Sequence, residues 1–148
     1  MPNLADGAAP WFTEDHRNCD RLWADVEGAV DDGNDDAAQA AHARFDAAMS
    51  RHLDMEEQVL FPALEAAGMP RMGPIHVMLM EHDQMRGVLR TMAGCADAGD
   101  WEGVADHGDT LLMLIQQHNV KEEAVLYPMA ERLLGPRWPE LSEKLARY

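Results

Sequence analysis

Two eleven-residue stretches, "HLDMEEQVLFP" at 52–62 and "HNVKEEAVLYP" at 118–128, share a spacing that can bind a metal. In each, an imidazole and a carboxylate stand four residues apart. On a helix they stack on one face a turn apart, so both can grip one ion, or the carboxylate can bridge two. The stretches repeat at an offset of 66, which pairs His52 with His118, Glu56 with Glu122, Glu57 with Glu123, Leu60 with Leu126, Phe61 with Tyr127 and Pro62 with Pro128. The same offset carries Asp15-His16 onto Glu81-His82. The chain therefore reads as two related helical hairpins, each with one His on its first helix and a His-x-x-x-Glu on its second.

The elements that must position these residues are separated by clear punctuation. Thr13, followed by Glu14 and Asp15, reads as the N-cap of a first helix that runs to about Val30, and "DDGNDD" reads as a turn. A second helix is expected from about Asp35 to Ala67, stopping at Gly68 before "GMPRMGP". Pro74 suits the first turn of a third helix ending at Gly99, and Asp100 caps a fourth that reaches about Leu134. A short C-terminal helix follows "GPRWP", over about 136–148. Pro62 and Pro128 each remove a hydrogen bond, so a kink is expected at both. No alternating apolar run is long enough for a sheet. The fold expected is all-α: an up-down-up-down four-helix bundle over about 11–134 plus the short last helix, in a single domain spanning 1–148.

Antiparallel geometry then tests whether the candidate ligands meet. Residues equidistant from a turn lie level. The midpoint of His16 and His52 is 34, that of His82 and His118 is 100, and that of Glu56 and His82 is 69, each inside a predicted connection. All four His fall in one layer, roughly 27 Å from the outer turns at about 1.5 Å per residue. An isolated His-x-x-x-Glu is usually a charged helical stripe. A duplicated one, with two more His at matched height, is a ligand set: His16, His52, Glu56, His82, His118 and Glu122. Four His and two Glu suit a dinuclear centre, and imidazole with carboxylate suits iron, zinc or manganese, with bridging carboxylates favouring iron.

Composition narrows the partners. With 12 Lys+Arg against 27 Asp+Glu the formal charge is −15, which disfavours nucleic acid and anionic membrane. "MPNLADGAAPWF" lacks a cationic flank and apolar stretch of signal type, and no 18-residue apolar run appears, so a cytoplasmic protein is expected. Cys19 and Cys95 are too few for a disulfide framework and read as small buried hydrophobes.

The pattern His16, His52-x-x-x-Glu56, His82, His118-x-x-x-Glu122 resembles that of hemerythrin-like domains, also called HHE cation-binding domains, over about residues 11–134. The resemblance implies a non-haem centre of two iron ions, oxo- or hydroxo-bridged and bridged by the two Glu, with each iron holding two or three His. A remaining position would bind O2, NO or peroxide. Two departures from the invertebrate oxygen carriers point away from oxygen carriage. Met78 stands where those carriers have an extra His, and the slot of their last carboxylate holds Glu123, leaving Glu122 as the expected bridge and Glu123 as the fallback.

Other histidines are weaker candidates. His76 lies about 240° round the helix from His82 and needs a local distortion to coordinate. His107 is three turns from His118, and His42 is expected at the surface. Cys19 sits one turn from His16, but its twin is Met85, which favours packing. A dry lining is expected from Met49, Leu53, Leu60, Met85, Ile115, Val125 and Leu126. Three functions fit: reversible binding of O2 or NO, with a possible electron-donor protein; a diiron enzyme acting on peroxide, O2 or NO; and iron storage or donation for repair of iron centres. The repair relatives typically have a cysteine-bearing N-terminal segment, and only twelve residues precede the first predicted helix here, which lowers the repair reading without excluding it; gas or redox response is expected over bulk oxygen transport.

Overall fold

The computed structural model describes residues 6–148; the first five residues of the stretch read above for targeting lie outside them. The described chain is helical, and its elements follow the predicted punctuation closely. Helix α1 spans Ala8–Asp31, and α2 (Asp35–Met55) continues through a π-helical turn at Glu56–Leu60 into α3 (Phe61–Ala66). Helix α4 spans His76–Asp97. Helix α5 (Trp101–Lys121) passes through a second π turn at Glu122–Leu126 into α6 (Tyr127–Leu134), and α7 covers Trp138–Leu145. Among the described residues no strand occurs.

The internal repeat is visible in the turns as well as in the ligands. After α1 and after α4 the chain closes with the same left-handed glycine, Gly33 at φ +67° and Gly99 at φ +70°. In both, a six-residue bond ties the next residue back into the helix: Asn34 N to Ala29 O at 3.1 Å, and Asp100 N to Cys95 O at 2.8 Å. The same two residues then cap the following helix. Asn34 accepts from Ala37 N at 3.0 Å and Asp100 accepts from Gly103 N at 2.9 Å.

The prolines act at their predicted places by opening the helix one residue wide. Phe61 N bonds to Glu56 O and Tyr127 N to Glu122 O, a five-residue step that relieves the missing donor and the clash at Pro62 and Pro128. Each π turn begins at a candidate ligand.

One boundary differs from expectation. Helix α1 begins at Ala8, five residues before Thr13, with Pro10 tolerated in its first turn. Its capping comes from far along the chain: the Glu131 carboxylate accepts from Ala9 N at 3.3 Å, a signal invisible in local sequence.

Helix α1 packs along α2, and α4 along α5. The core divides in two. One apolar cluster gathers Phe12, Met55, Leu60, Phe61, Leu64, Ile75 and Leu126 with Trp138, Leu141 and Leu145 of α7, which closes that end. The other gathers Trp23, Val26, Phe45, Met49, Leu53, Met85, Leu89, Met92, Val104, Leu111 and Ile115. A buried His/Glu layer joins them. In the second cluster Trp23 abuts Gly108, where a Cβ would sit 2.0 Å from the ring carbon Cη2.

Substituting Gly108→Ala should therefore destabilise the protein. The helix-propensity gain of about 1 kcal/mol is outweighed by displacing a buried indole, at about 1–3 kcal/mol. Thermal unfolding checks this, and a raised midpoint would contradict the packing described.

Candidate metal centre

All six predicted ligands converge. His16 from α1, His52 from α2, His82 from α4 and His118 from α5 point their Nε2 atoms at Glu56 and Glu122, the first residues of the two π turns. Glu56 Oε1 lies 3.3 Å from His52 Nε2 and 3.2 Å from His82 Nε2. Glu122 Oε1 lies 3.1 Å from His16 Nε2 and 3.0 Å from His118 Nε2. Each glutamate thus spans the two hairpins. Both are fully buried, and the four histidines are no more than 5% exposed.

The donors fall into two overlapping groups, Glu56-His82-His118-Glu122 and His16-His52-Glu122, whose ligand atoms lie within 4.8 Å of one another. Donors about 2.1 Å from one ion and at right angles are about 3.0 Å apart, so the observed spacings fit the edges of coordination polyhedra. A second sign is the state of the polar atoms. His52 Nε2, Glu56 Oε1 and Glu122 Oε2 are buried without a hydrogen-bond partner, an arrangement that a shared cation satisfies.

Around this layer stands a ring of carboxylates, one per histidine. Asp15 holds His52 Nδ1 at 2.8 Å, Glu81 holds His118 Nδ1 at 2.8 Å, Glu57 holds His82 Nδ1 at 2.9 Å, and Glu123 holds His16 Nδ1 at 2.8 Å. These bonds fix the ring orientation and the tautomer that leaves Nε2 free to ligate. Arg86 in turn braces Glu57 and Asp54, both at 2.9 Å, and Lys121 pairs with Glu81.

Charge in the polypeptide alone follows from these contacts. Burial pushes His52 down, but the charge of Glu56 and the bond to Asp15 outweigh it and raise His52 to about 10. Burial likewise opposes protonation of His82, which its bonds to Glu56 and Glu57 raise to about 9. Glu56 moves the other way: burial raises it, and the His52 charge with the surrounding hydrogen bonds holds it well below the usual carboxylate range.

Some expectations change and others hold. Glu123, the fallback bridge, lies outside the layer on His16 Nδ1. His76 and His107 are exposed and remain apart from the centre. His42, expected at the surface, is buried, because it shares the inner face of α2 with Ala38, Ala41 and Phe45. Val125, expected in the lining, is 53% exposed, whereas its twin Val59 is buried: α7 packs on the first π turn and covers Val59. Met78 is buried, and Cys19 is buried with its thiol pushed up to about 12 by burial and then by Asp15, which keeps it a protonated packing residue.

Sequence reasoning gave Asp15, Glu57, Glu81 and Glu123 no role behind the histidines, and it passed over Tyr127. The outer ring was foreshadowed by the acid preceding each first-helix His and by the two Glu-Glu doublets. Tyr127 was the polar mismatch in the repeat, opposite Phe61. Its hydroxyl lies 2.8 Å from Glu56 Oε2 and 3.1 Å from Glu122 Oε1.

A helical bundle with an inward His/Glu layer defines a buried metal-binding class, and the comparisons give its family. The chain belongs to the hemerythrin HHE cation binding domain family, which it matches over residues 8–130. It is 30% identical over 91 residues to proteins named iron-sulfur cluster repair protein YtfE, from Escherichia coli O1:K1 / APEC and from Escherichia fergusonii. That stretch is 55% of this chain and 41% of each relative, so the chain aligns with less than half the length of the relatives it matches. No solved structure matches the chain at comparable significance.

Two outcomes follow from the geometry. Removing an outer carboxylate, by Asp15→Ala or Glu81→Ala, should weaken metal binding about 10–100-fold by competition titration while leaving the fold intact. The pH dependence has a definite sign. Raised from 6.5 in the unfolded chain to about 10 and about 9, His52 and His82 stabilise the metal-free protein fully below pH 6.5, and that contribution is lost as pH rises through 9 to 10. Because a metal must displace those protons, its affinity should rise with pH over the same range, with proton release seen by calorimetry in two buffers.

Proposed function

We propose that the protein is a carboxylate-bridged dinuclear iron protein that binds a small ligand, O2, NO or peroxide, in gas or redox response. Its ligands are His16, His52, Glu56, His82, His118 and Glu122, carried on four rods that alternate up and down within a single cytoplasmic domain. The observation that carries this reading is a buried donor layer bordered by a small cavity of about 10 Å³. That cavity is lined by His16, His52, His118, Cys19, Met49, Leu53, Met85, Ile115 and Asn119. The volume admits about one water-sized molecule, and the mainly apolar wall beyond the imidazoles suits a small uncharged guest.

Iron bound there would supply the ligand affinity and one-electron redox chemistry that side chains lack. The chain's own part is to arrange and to exclude. Glu56 and Glu122 hold the two halves together, the outer carboxylates orient the imidazoles, and Met49, Leu53, Met85 and Ile115 keep bulk water out. No described helix is long and apolar enough to cross a membrane, and a formal charge of −15 disfavours nucleic acid as a partner. An electron-donor protein would approach the surface over one of the outer carboxylates.

A second reading, iron donation for repair of damaged iron centres, is favoured by the similarity to proteins named for iron-sulfur cluster repair. The two differ in how firmly iron is held.

Protein from iron-supplemented cells should contain about two irons per chain, and His52→Ala or His118→Ala should each lower that content. Full metal retention in both variants would refute the ligand set. Reduction without air followed by readmission of air separates the functions: a visible band that returns on every cycle indicates reversible binding, and one that forms while peroxide is consumed indicates turnover. Rapid loss of iron to a mild chelator would favour donation.

A further inference from the structure

The two halves of the centre are alike in every donor but one. Phe61 and Tyr127 occupy equivalent places in the repeat and hold their rings against equivalent histidines. Phe61 lies 5.5 Å from His82 at 33°, and Tyr127 lies 5.5 Å from His16 at 34°. The backbones that carry them are also alike, each ring residue following a π turn that begins at a candidate bridging glutamate. What differs is a single oxygen, and it is aimed at the donor layer.

Tyr127 Oη is buried and lies 2.8 Å from Glu56 Oε2, 3.0 Å from His16 Nε2 and 3.1 Å from Glu122 Oε1. A phenol has one proton to donate, so three polar neighbours at these distances leave lone pairs facing one another unless a cation lies among them. Two of these distances, to His16 and Glu122, fall within the 3.0 to 3.3 Å found between neighbouring donor atoms elsewhere in the layer, and the one to Glu56 is slightly shorter. The oxygen therefore sits at a vertex of the same kind as the imidazoles and carboxylates. It joins the donor-poor side: His16, His52 and Glu122 form a group of three, whereas His82 and His118 share theirs with both glutamates.

Resting on the metal-binding reading above, we propose that Tyr127 is a seventh protein donor, ligating the ion at His16 and His52 through its phenol oxygen and making the two metal positions chemically different. On binding, the O–H bond breaks, its proton leaves to bulk buffer, and an Oη–metal bond forms; no electron moves. Tyr127 belongs to the apolar cluster closed by α7, while the small cavity beside the centre is lined from the other cluster by Cys19, Met49 and Met85. The phenol oxygen and a small guest would thus approach from different sides.

The test is to load the protein with iron(II) without air, oxidise it, and record the visible spectrum and resonance Raman scattering. A phenolate-to-ferric charge-transfer band with enhanced tyrosine ring modes is expected, and Tyr127→Phe should abolish both when the spectra are normalised to the iron each protein holds. The remaining tyrosine, Tyr148, is 41% exposed, so the same modes should persist in Tyr148→Phe and shift when that variant is grown on ring-deuterated tyrosine. This second measurement stands even if Tyr127→Phe fails to fold. Iron bound without tyrosine modes, or a spectrum unchanged by Tyr127→Phe, overturns this inference and leaves the metal-binding reading intact. Wild-type protein that folds but binds no iron overturns both.

Discussion

Placing two carboxylates in the middle of a helical bundle is the constraint from which the rest of the arrangement follows. Glu56 and Glu122 are fully buried, and an unpaired carboxylate there would cost several kcal/mol in lost hydration. Four imidazoles face them, and four further carboxylates stand behind the imidazoles. That outer ring makes sense only if the inner layer is built to hold positive charge. In the polypeptide alone protons on the histidines provide it, and a metal ion provides it better because it also satisfies the buried atoms left without partners.

The helices serve that layer in a specific way. Beginning a π turn at Glu56 and again at Glu122 lets each chain step past a proline without breaking the rod, so the inner ligand and the ring of Phe61 or Tyr127 remain on one continuous element. The twin turns at Gly33-Asn34 and Gly99-Asp100 fix the register of each hairpin, setting His16 level with His52 and His82 level with His118. Rigid geometry of this kind is what a centre of several ligands requires, since small misplacements weaken every bond at once.

Much of this was legible in the sequence because the signals were local and repeated. The His-x-x-x-Glu pairs, the 66-residue offset and the midpoint rule place six candidate ligands in one layer without any knowledge of packing. What escaped depended on contacts made across the bundle. The start of α1 is set by Glu131, distant in sequence, so Thr13 was a reasonable local N-cap that tertiary structure bypassed. His42 was misplaced because a polar residue type outweighed its position between Ala38 and Phe45 on a buried face. The partners of Asp15, Glu57, Glu81 and Glu123 are each on another helix, and sequence spacing alone assigns none of them.

Duplication explains the symmetry of the centre, and the departures from symmetry show where its two halves have acquired different surroundings. Helix α7 packs on the first π turn and buries Val59, whereas Val125 on the second stays open to solvent. Inside, the difference is reversed: the first half presents the apolar ring of Phe61 to the layer and the second presents the hydroxyl of Tyr127. Swapping a ring hydrogen for a hydroxyl changes volume little but puts an oxygen among buried ligands, where each polar contact is far stronger than in water. A centre built from two related hairpins can therefore be made unequal by one atom, with no change of backbone and no added element.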